Sequence, residues 1–380
     1  MRIGVNTRFL LPQKLEGLGW YTYEILQRIV KLMPEHDFVF FFDRPYDEKF
    51  IFSSNITPVV INPPARHPIL WYLWFEHALP KAMKKQKVDV FFSPDGYLSL
   101  KTNIPTVLSI HDLAFEVFPK QIPFLVAKYY TFFTPKFAKK AAQIVAVSTS
   151  TKNDLIRFYG IEEKKITVVS NGCSAQFNPV PSNIKEEIKN KWTEGHPFFI
   201  FIGAMHPRKN IEGIFKAFDL FKTKTGLPHK MLIAGRMAWG TASINTTFET
   251  LQFKKDIVFT AHSERDLLNN LLGSAEVLVY PSFYEGFGLP ILEAFHCGVP
   301  VITANNSSMP EVAGDAALLV EANEVESITD SMIKIVENEQ LRKELIEKGH
   351  QQKLLFSWDK AAEKIAGILQ KTANSNGVFQ

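Results

Sequence analysis

The residues best suited to chemistry in this chain lie in one stretch, Tyr280 to Gly298 (YPSFYEGFGLPILEAFHCG), where Glu285 and Glu293 stand eight positions apart around a Gly286-Phe287-Gly288 turn. Pro290 follows Leu289, and proline favours the first turn of a helix. The free backbone N–H groups of such a turn, with the positive end of the helix behind them, suit a phosphate or a polarised sugar hydroxyl. Taken alone, the strand-Gly-x-Gly-helix element serves equally well as a tight turn without a ligand, and Glu285 as a plain helix cap. Glu293 is harder to place that way, because a carboxylate set in the apolar run LPILEAF needs hydrogen-bond donors, which ribose or sugar hydroxyls would supply. A second loop, Gly203 to Asn210 (GAMHPRKN), sets Arg208 and Lys209 before another helix. Two adjacent cations there match a diphosphate, although either one alone is an ordinary basic turn. His111, beside Asp112 at a strand end, and the pair Gly17 and Gly19 are weaker signals. The full dinucleotide fingerprint is not met, since residue 22 is Thr22, and nicotinamide binding loses support.

These loops must be held by strands. Short apolar runs alternate with helix-like segments: Arg2 to Thr7, Phe38 to Phe42, Asp89 to Pro94, Thr106 to His111, Gln143 to Ser148 and Ile166 to Asn171. The rhythm restarts at Pro197 to Ala204, Met231 to Arg236, Ile257 to Ala261, Glu276 to Ser282, Pro300 to Ala304 and Ala317 to Val320. Continuous apolar strands between helices predict an α/β fold of two doubly wound parallel sheets, with a cleft between two domains. The predicted domains are 1–178 and 179–355, joined through the proline-bearing stretch Phe177 to Ser182. An amphipathic segment at 356–371 and a disordered tail at 372–380 complete the chain.

The 380 residues fit two domains, and 46% hydrophobic with 22% charged residues excludes disordered and collagen-like chains. Two cysteines, Cys173 and Cys297, predict a reducing compartment. The start MRIGVN reads as a strand and not as a signal peptide, so the chain is expected to stay in the cytoplasm. Residues 1–178 hold 22 Lys and Arg against 15 Asp and Glu, so the front half is the basic half. Within it, Ile69 to Lys87 combines Trp71, Trp74 and Phe75 with Lys81, Lys84, Lys85 and Lys87. That segment reads either as a packed helix with a solvated basic end or as a peripheral contact with anionic lipid.

The segments EGFGLPILE, GAMHPRKN, VSTSTKNDL, SNG and SSMPEVAGDAALLV together resemble the retaining glycosyltransferases of family four. The most specific element is the acidic pair Glu285 and Glu293. The resemblance covers most of the chain and implies the GT-B fold: two Rossmann-like domains facing a cleft, and a last helix that crosses back to the first domain. It implies that the second domain binds a nucleotide diphosphosugar as substrate, without a cofactor or metal. Glu293 would then accept from the ribose. Glu285 and the backbone of Gly286, Phe287, Gly288 and Leu289 would hold the donor sugar. Arg208 and Lys209 would neutralise the diphosphate, His111 would touch the sugar, and Gly17 and Gly19 would border the phosphate and acceptor. Many relatives carry Arg directly after the glycine equivalent to Gly203, where this chain has Ala204, so the leaving group's charge rests on fewer cations. The reaction implied is transfer of a sugar, with the motif wording leaning to GDP-mannose, onto a glycan or polyprenyl-diphosphate-linked acceptor in polysaccharide or lipopolysaccharide biosynthesis, in the cytoplasm or at the inner face of the membrane. The loop TAHSERDL would lie near the nucleobase. A nucleotide-sugar epimerase of the same architecture is the alternative within enzymes. A basic nucleic-acid binder is the alternative outside them, and nucleic acid is not expected as a partner.

Overall fold

The structure is a computed structural model, which describes residues 1–11, 15–236, 242–260 and 265–375. It divides into two units, Met1–Gly172 with Ser357–Gln380, and Cys173–Phe356. The first holds β1 (Arg2–Asn6), β2 (Asp37–Phe42), β3 (Ile56–Val60), β4 (Val90–Ser93), β5 (Thr106–Ile110), β6 (Gln143–Ala146) and β7 (Ile166–Val168). They form one sheet in the order β3-β2-β1-β4-β5-β6-β7. All pairs are parallel, and Val5 of β1 is opposite Phe40 on one side and Phe92 on the other. Runs such as Phe38 to Phe42 are buried along their whole length, as strands covered on both faces must be.

The second unit repeats the pattern with β8 (Phe198–Ile202), β9 (Lys230–Ala234), β10 (Ile257–Thr260), β11 (Val277–Tyr280), β12 (Val301–Ala304) and β13 (Ala317–Val320). Their order is β10-β9-β8-β11-β12-β13, again parallel throughout. In each unit the winding reverses beside the first strand, between β1 and β4 and between β8 and β11. A crevice opens at the carboxyl ends of strands at such a switch point, and ligands of doubly wound sheets bind there.

Three features depart from the sequence reading. Strand β3 was not anticipated, because ITPVV carries Pro58 and a half-exposed pattern; it is an edge strand, where a missing N–H is tolerated. The units meet at Gly172 and Cys173, not after Asn178, because the proline-bearing stretch is packed: Phe177 and Val180 are buried, and the Asn178 N–H donates to Asn269 Oδ1 at 2.9 Å. The expected tail from Thr372 begins as helix. The helix Trp358–Asn374 continues the buried stripe of Ile365, Ala366 and Leu369 through Ala373 and packs on the helix Gly17–Leu32. Arg28 anchors the contact through Asp359, at 2.5 Å. At the same seam a Cβ on Gly172 would come within 2.3 Å of the Trp358 nitrogen, so only glycine fits there.

Candidate active site

The loop after β8 is shaped before it carries charge. Gly203 has φ of +148°, and a Cβ on Gly235 would lie 1.9 Å from the Gly203 oxygen, so both glycines are needed where β8 and β9 end. Asn210 is in the left-handed conformation and buried, and its amide donates to the carbonyls of Pro281 (3.0 Å) and Ala322 (2.7 Å). The Phe283 N–H also donates to the Arg208 carbonyl at 2.9 Å. The loops following β8 and β11 are thereby fastened to each other across the switch point.

That fastening brings Arg208, Lys209 and Glu285 together. Arg208 Nη1 donates to Glu285 Oε2 at 3.1 Å and to the Tyr284 carbonyl. Lys209 Nζ donates to Glu285 Oε1, and to the Tyr280 hydroxyl at 2.6 Å; that hydroxyl donates in turn to Glu285 Oε1 at 2.9 Å. Ser307 Oγ accepts the Glu285 N–H at 3.0 Å, and Ser308 Oγ donates to the carbonyls of Glu285 and Phe287, both at 2.9 Å. Burial alone would push the Glu285 carboxyl up, but Lys209 and Arg208 outweigh it and hold it at about 2, against an ordinary 4.5. The Tyr280 hydroxyl is held far above its usual range by burial and by the Glu285 charge. The carboxylate is therefore ionised and both cations are kept in place.

The adjoining helix, Leu289–Cys297, starts at Gly288, which has φ of +98° and supplies no side-chain cap; Pro290 lies in its first turn. A helix start left open in this way can receive an anion, beside two cations that can turn to it. Gly286 and Phe287 are buried, with the Phe287 ring edge-on to Phe356 at 5.7 Å. Phe287 packs the loop, so only its backbone is available to a ligand. Leu289 and Glu293 are half-buried on the helix.

The first unit has an ion pair at the corresponding switch point. Arg8, after β1, donates to Asp95, after β4, at 2.6 Å. This pair is sealed: its side chains are only 4% and 1% exposed, and rings of Tyr97, Phe9 and Phe75 lie 4.0, 4.7 and 5.3 Å from the guanidinium carbon. Arg208 and Lys209 keep 19% and 14%. Of these two pairs, the one in the second unit keeps its cations within reach of a ligand. His111 follows β5, and its Nε2 donates to the Pro94 carbonyl at 2.7 Å, while the Tyr21 ring stands edge-on at 4.5 Å. Burial holds its pKa below the ordinary value, which leaves it neutral near pH 7 with Nδ1 as the acceptor nitrogen. Gly17 and Gly19 form the first turn of the helix Gly17–Leu32. A Cβ on Gly19 would meet the Phe9 oxygen at 2.7 Å, whereas one on Gly17 would meet nothing within 4 Å.

Comparison with known proteins decides the family. Residues 183–352 match Glycosyl transferases group 1, and residues 15–177 match Glycosyltransferase Family 4. The chain belongs to the family 4, group 1 glycosyltransferases. It is 29% identical over 279 residues to O-antigen chain mannosyltransferase B of Escherichia coli, covering 73% of each chain. To O-antigen chain mannosyltransferase RfbU of Salmonella typhimurium it is 25% identical over 297 residues, covering 77% of this chain and 78% of the other. Among solved structures, that of Anabaena HepE in complex with UDP and glucose superposes with a TM-score of 0.75 at 13% identity, over 97% of this chain and 99% of that one. The fold of this glycosyltransferase is GT-B, built from two Rossmann-like units.

Sequence reasoning missed four contributors to the glycosyltransferase's charged cluster. Tyr280 reads as the last residue of a strand, Asn210 as a loop polar, and Ser307 and Ser308 as the start of the SSMPEVAGDAALLV segment, with no chemistry of their own. A tyrosine closing an otherwise aliphatic strand, VLVY, was the one available signal. Of the loop TAHSERDL, residues 261–264 lie outside the described residues. In the 69–87 segment Trp74 and Phe75 are fully buried, and Trp71 donates to the Ala65 carbonyl at 2.9 Å. Trp71, Trp74 and Phe75 are thus packed against the core, while Tyr72 and the lysines of that segment are exposed.

Proposed function

We propose that this glycosyltransferase moves a hexose, with mannose from GDP-mannose the first choice, onto a glycan or polyprenyl-diphosphate-linked acceptor during assembly of an O-antigen-type polysaccharide. The observation that carries the reading is the joint of β8 and β11, where Arg208, Lys209 and an ionised Glu285 converge beside the open start of the Leu289–Cys297 helix. Breaking a sugar–phosphate bond builds negative charge on the departing diphosphate, and fixed cations and amide dipoles at that point lower the barrier. In this reading Arg208 and Lys209 turn from Glu285 to the diphosphate, and sugar hydroxyls replace them as donors to the carboxylate. The backbone from Gly286 to Leu289 supports the sugar, Glu293 accepts from the ribose, and Gly17 and Gly19 border the phosphate and acceptor. His111 contacts the sugar at the transfer step. The leaving phosphate takes the acceptor proton on the face it departs from, so configuration is retained without a dedicated protein base and without a metal. The two O-antigen mannosyltransferases described above support mannose, and we assign the reaction to the cytoplasm on the low cysteine count.

The test is incubation of the purified chain with GDP-mannose, UDP-glucose and UDP-N-acetylglucosamine, with and without chelator, against a lipid-linked or short glycan acceptor. Mass spectrometry and the anomeric proton coupling of the product read donor and stereochemistry. Chelator-resistant transfer of mannose with an α-linked product is expected. Inversion, a chelator requirement, or conversion of a donor in the absence of any acceptor, as an epimerase would show, overturns the reading.

A further inference from the structure

A neutral imidazole has one ring proton to place, and its hydrogen bonds decide which nitrogen holds it. His111 Nε2 lies 2.7 Å from the Pro94 carbonyl, which can only accept, so the proton sits on Nε2 and the lone pair on Nδ1. That lone pair takes no hydrogen bond from the described residues. The Tyr21 ring, edge-on at 4.5 Å, limits rotation of the imidazole, and its own hydroxyl is fixed by Ser109 Oγ at 3.0 Å. Thr151 Oγ1 donates to the His111 carbonyl at 3.2 Å and holds the backbone. The tautomer of His111 therefore depends on one atom, the Pro94 oxygen.

The loop carrying that oxygen is held by the sealed ion pair. Arg8 Nε donates to Asp95 Oδ2 at 2.6 Å, and Asp95 Oδ1 accepts from Ser93 Oγ at 3.1 Å and from the Tyr97 N–H at 3.2 Å. Ser93 and Asp95 flank Pro94, so both sides of the proline are fastened to one carboxylate. Asn6 closes the ring of contacts: its amide donates to Ser93 Oγ at 3.2 Å and accepts the Arg8 N–H at 3.3 Å. Asn6, Arg8, Ser93 and Asp95 are all buried, and Gly96, with φ of +86°, lets the chain turn after Asp95. A buried ion pair is a poor source of stability, because desolvating two charges offsets their attraction. What this one supplies is direction: a carboxylate with both oxygens committed leaves the Pro94 peptide a single orientation.

We infer that Arg8 and Asp95 are positioning residues for transfer, holding the Pro94 carbonyl where it keeps the His111 proton on Nε2 and so presents Nδ1 to the sugar as an acceptor. The inference rests on the reading that His111 contacts the sugar. An acceptor nitrogen takes the hydrogen of a sugar hydroxyl but offers none to a phosphate oxygen, so the tautomer separates the sugar end of the donor from its diphosphate.

The test is NMR of the full chain with 15N in its histidine rings, whose shifts distinguish protonated from bare ring nitrogens. His111→Gln identifies the His111 signals among those of the ten histidines. Wild type near neutral pH should show His111 as a single Nε2–H tautomer. The double variant Arg8→Met with Asp95→Asn strands no charge and keeps an oxygen for Ser93 and Tyr97. In it both tautomers should appear, and kcat should fall about ten- to a hundredfold with the donor KM within about twofold of wild type. A wild-type His111 protonated on Nδ1, or divided between the two nitrogens, overturns the inference without any variant. An unchanged tautomer or an unchanged kcat in a double variant that melts cooperatively overturns it too. Full turnover by His111→Gln refutes instead the reading of His111 on which the inference rests, and the two failures are thereby told apart.

Discussion

Replacing Lys209 with Met separates what the charged cluster does for the fold from what it does for transfer. The Glu285 carboxyl sits at about 2 where an ordinary one sits at 4.5. At about 1.4 kcal/mol per pH unit, that gap favours the ionised form by about 3 kcal/mol. Burial opposes it, so Lys209 and Arg208 together supply more than the net, with Lys209 the larger contributor. Without Lys209 a buried carboxylate keeps only Arg208, and we expect a loss of about 2 kcal/mol, below the full cost of stranding a buried charge. For a unit of this size that lowers the melting temperature by about 4–8 °C. Adding Glu285→Gln removes the stranded charge and should recover most of the loss, a coupling of about 1–3 kcal/mol. Turnover should fall on the order of a hundredfold in Lys209→Met and should not return in the double variant. A carboxyl held low in the fold contributes stability that is complete above its unfolded value of 4.5 and lost as pH falls through about 2. The melting gap between wild type and Lys209→Met should therefore be widest near neutral pH and narrow on acidification. Calorimetry of the two single variants and the double variant, with transfer measured on the same preparations, tests this. The reasoning is refuted if the double variant is as unstable as Lys209→Met, or if Lys209→Met turns over at nearly the wild-type rate.

Tyr280→Phe removes the hydroxyl shared by Lys209 and Glu285; it should slow transfer about tenfold with the fold intact, read as kcat against KM beside a melting curve. Gly19→Ala should destabilise the protein by about 1–3 kcal/mol, because its Cβ meets the Phe9 oxygen at 2.7 Å. Gly17→Ala has free space and should raise stability by up to about 1 kcal/mol, so any loss of activity there reports on a ligand passing close to the backbone. Burial holds His111 below its ordinary 6.5, so the stability it contributes is complete above that pH and declines below it. A plot of melting temperature against pH should be flatter just below 6.5 in His111→Gln, and an unchanged slope would contradict the burial.

Among the described residues, twelve of the thirteen strands were visible in the sequence as apolar runs, since a strand covered on both faces must be apolar along its length whatever its neighbours. The exception, β3, is half-exposed and holds Pro58, so it carries little hydrophobic signal. The anion-binding turn was legible for a similar reason: Gly286, Gly288 and Pro290 act locally, through backbone freedom and a fixed φ. Glu285, Arg208 and Lys209 could be named as charges that ask for partners. That they are one another's partners follows only from the strand order, which places β8 beside β11 and thereby joins positions 76 and 77 residues apart.

Burial was likewise decided by the tertiary structure. Trp74 and Phe75 carry the same aromatic signal as Phe124 and Phe132, yet the first pair is core and the second faces water. Arg8 with Asp95 and Arg208 with Glu285 are equivalent pairs at equivalent joints, but aromatic rings seal the first, and the second stays within reach of solvent. Residue types set which groups could do chemistry, because charge, hydrogen-bonding capacity and backbone freedom are properties of single residues and short turns. Which of those groups meet, and which are left open to a ligand, was decided by long-range strand pairing and side-chain packing, because both depend on residues far apart in the chain.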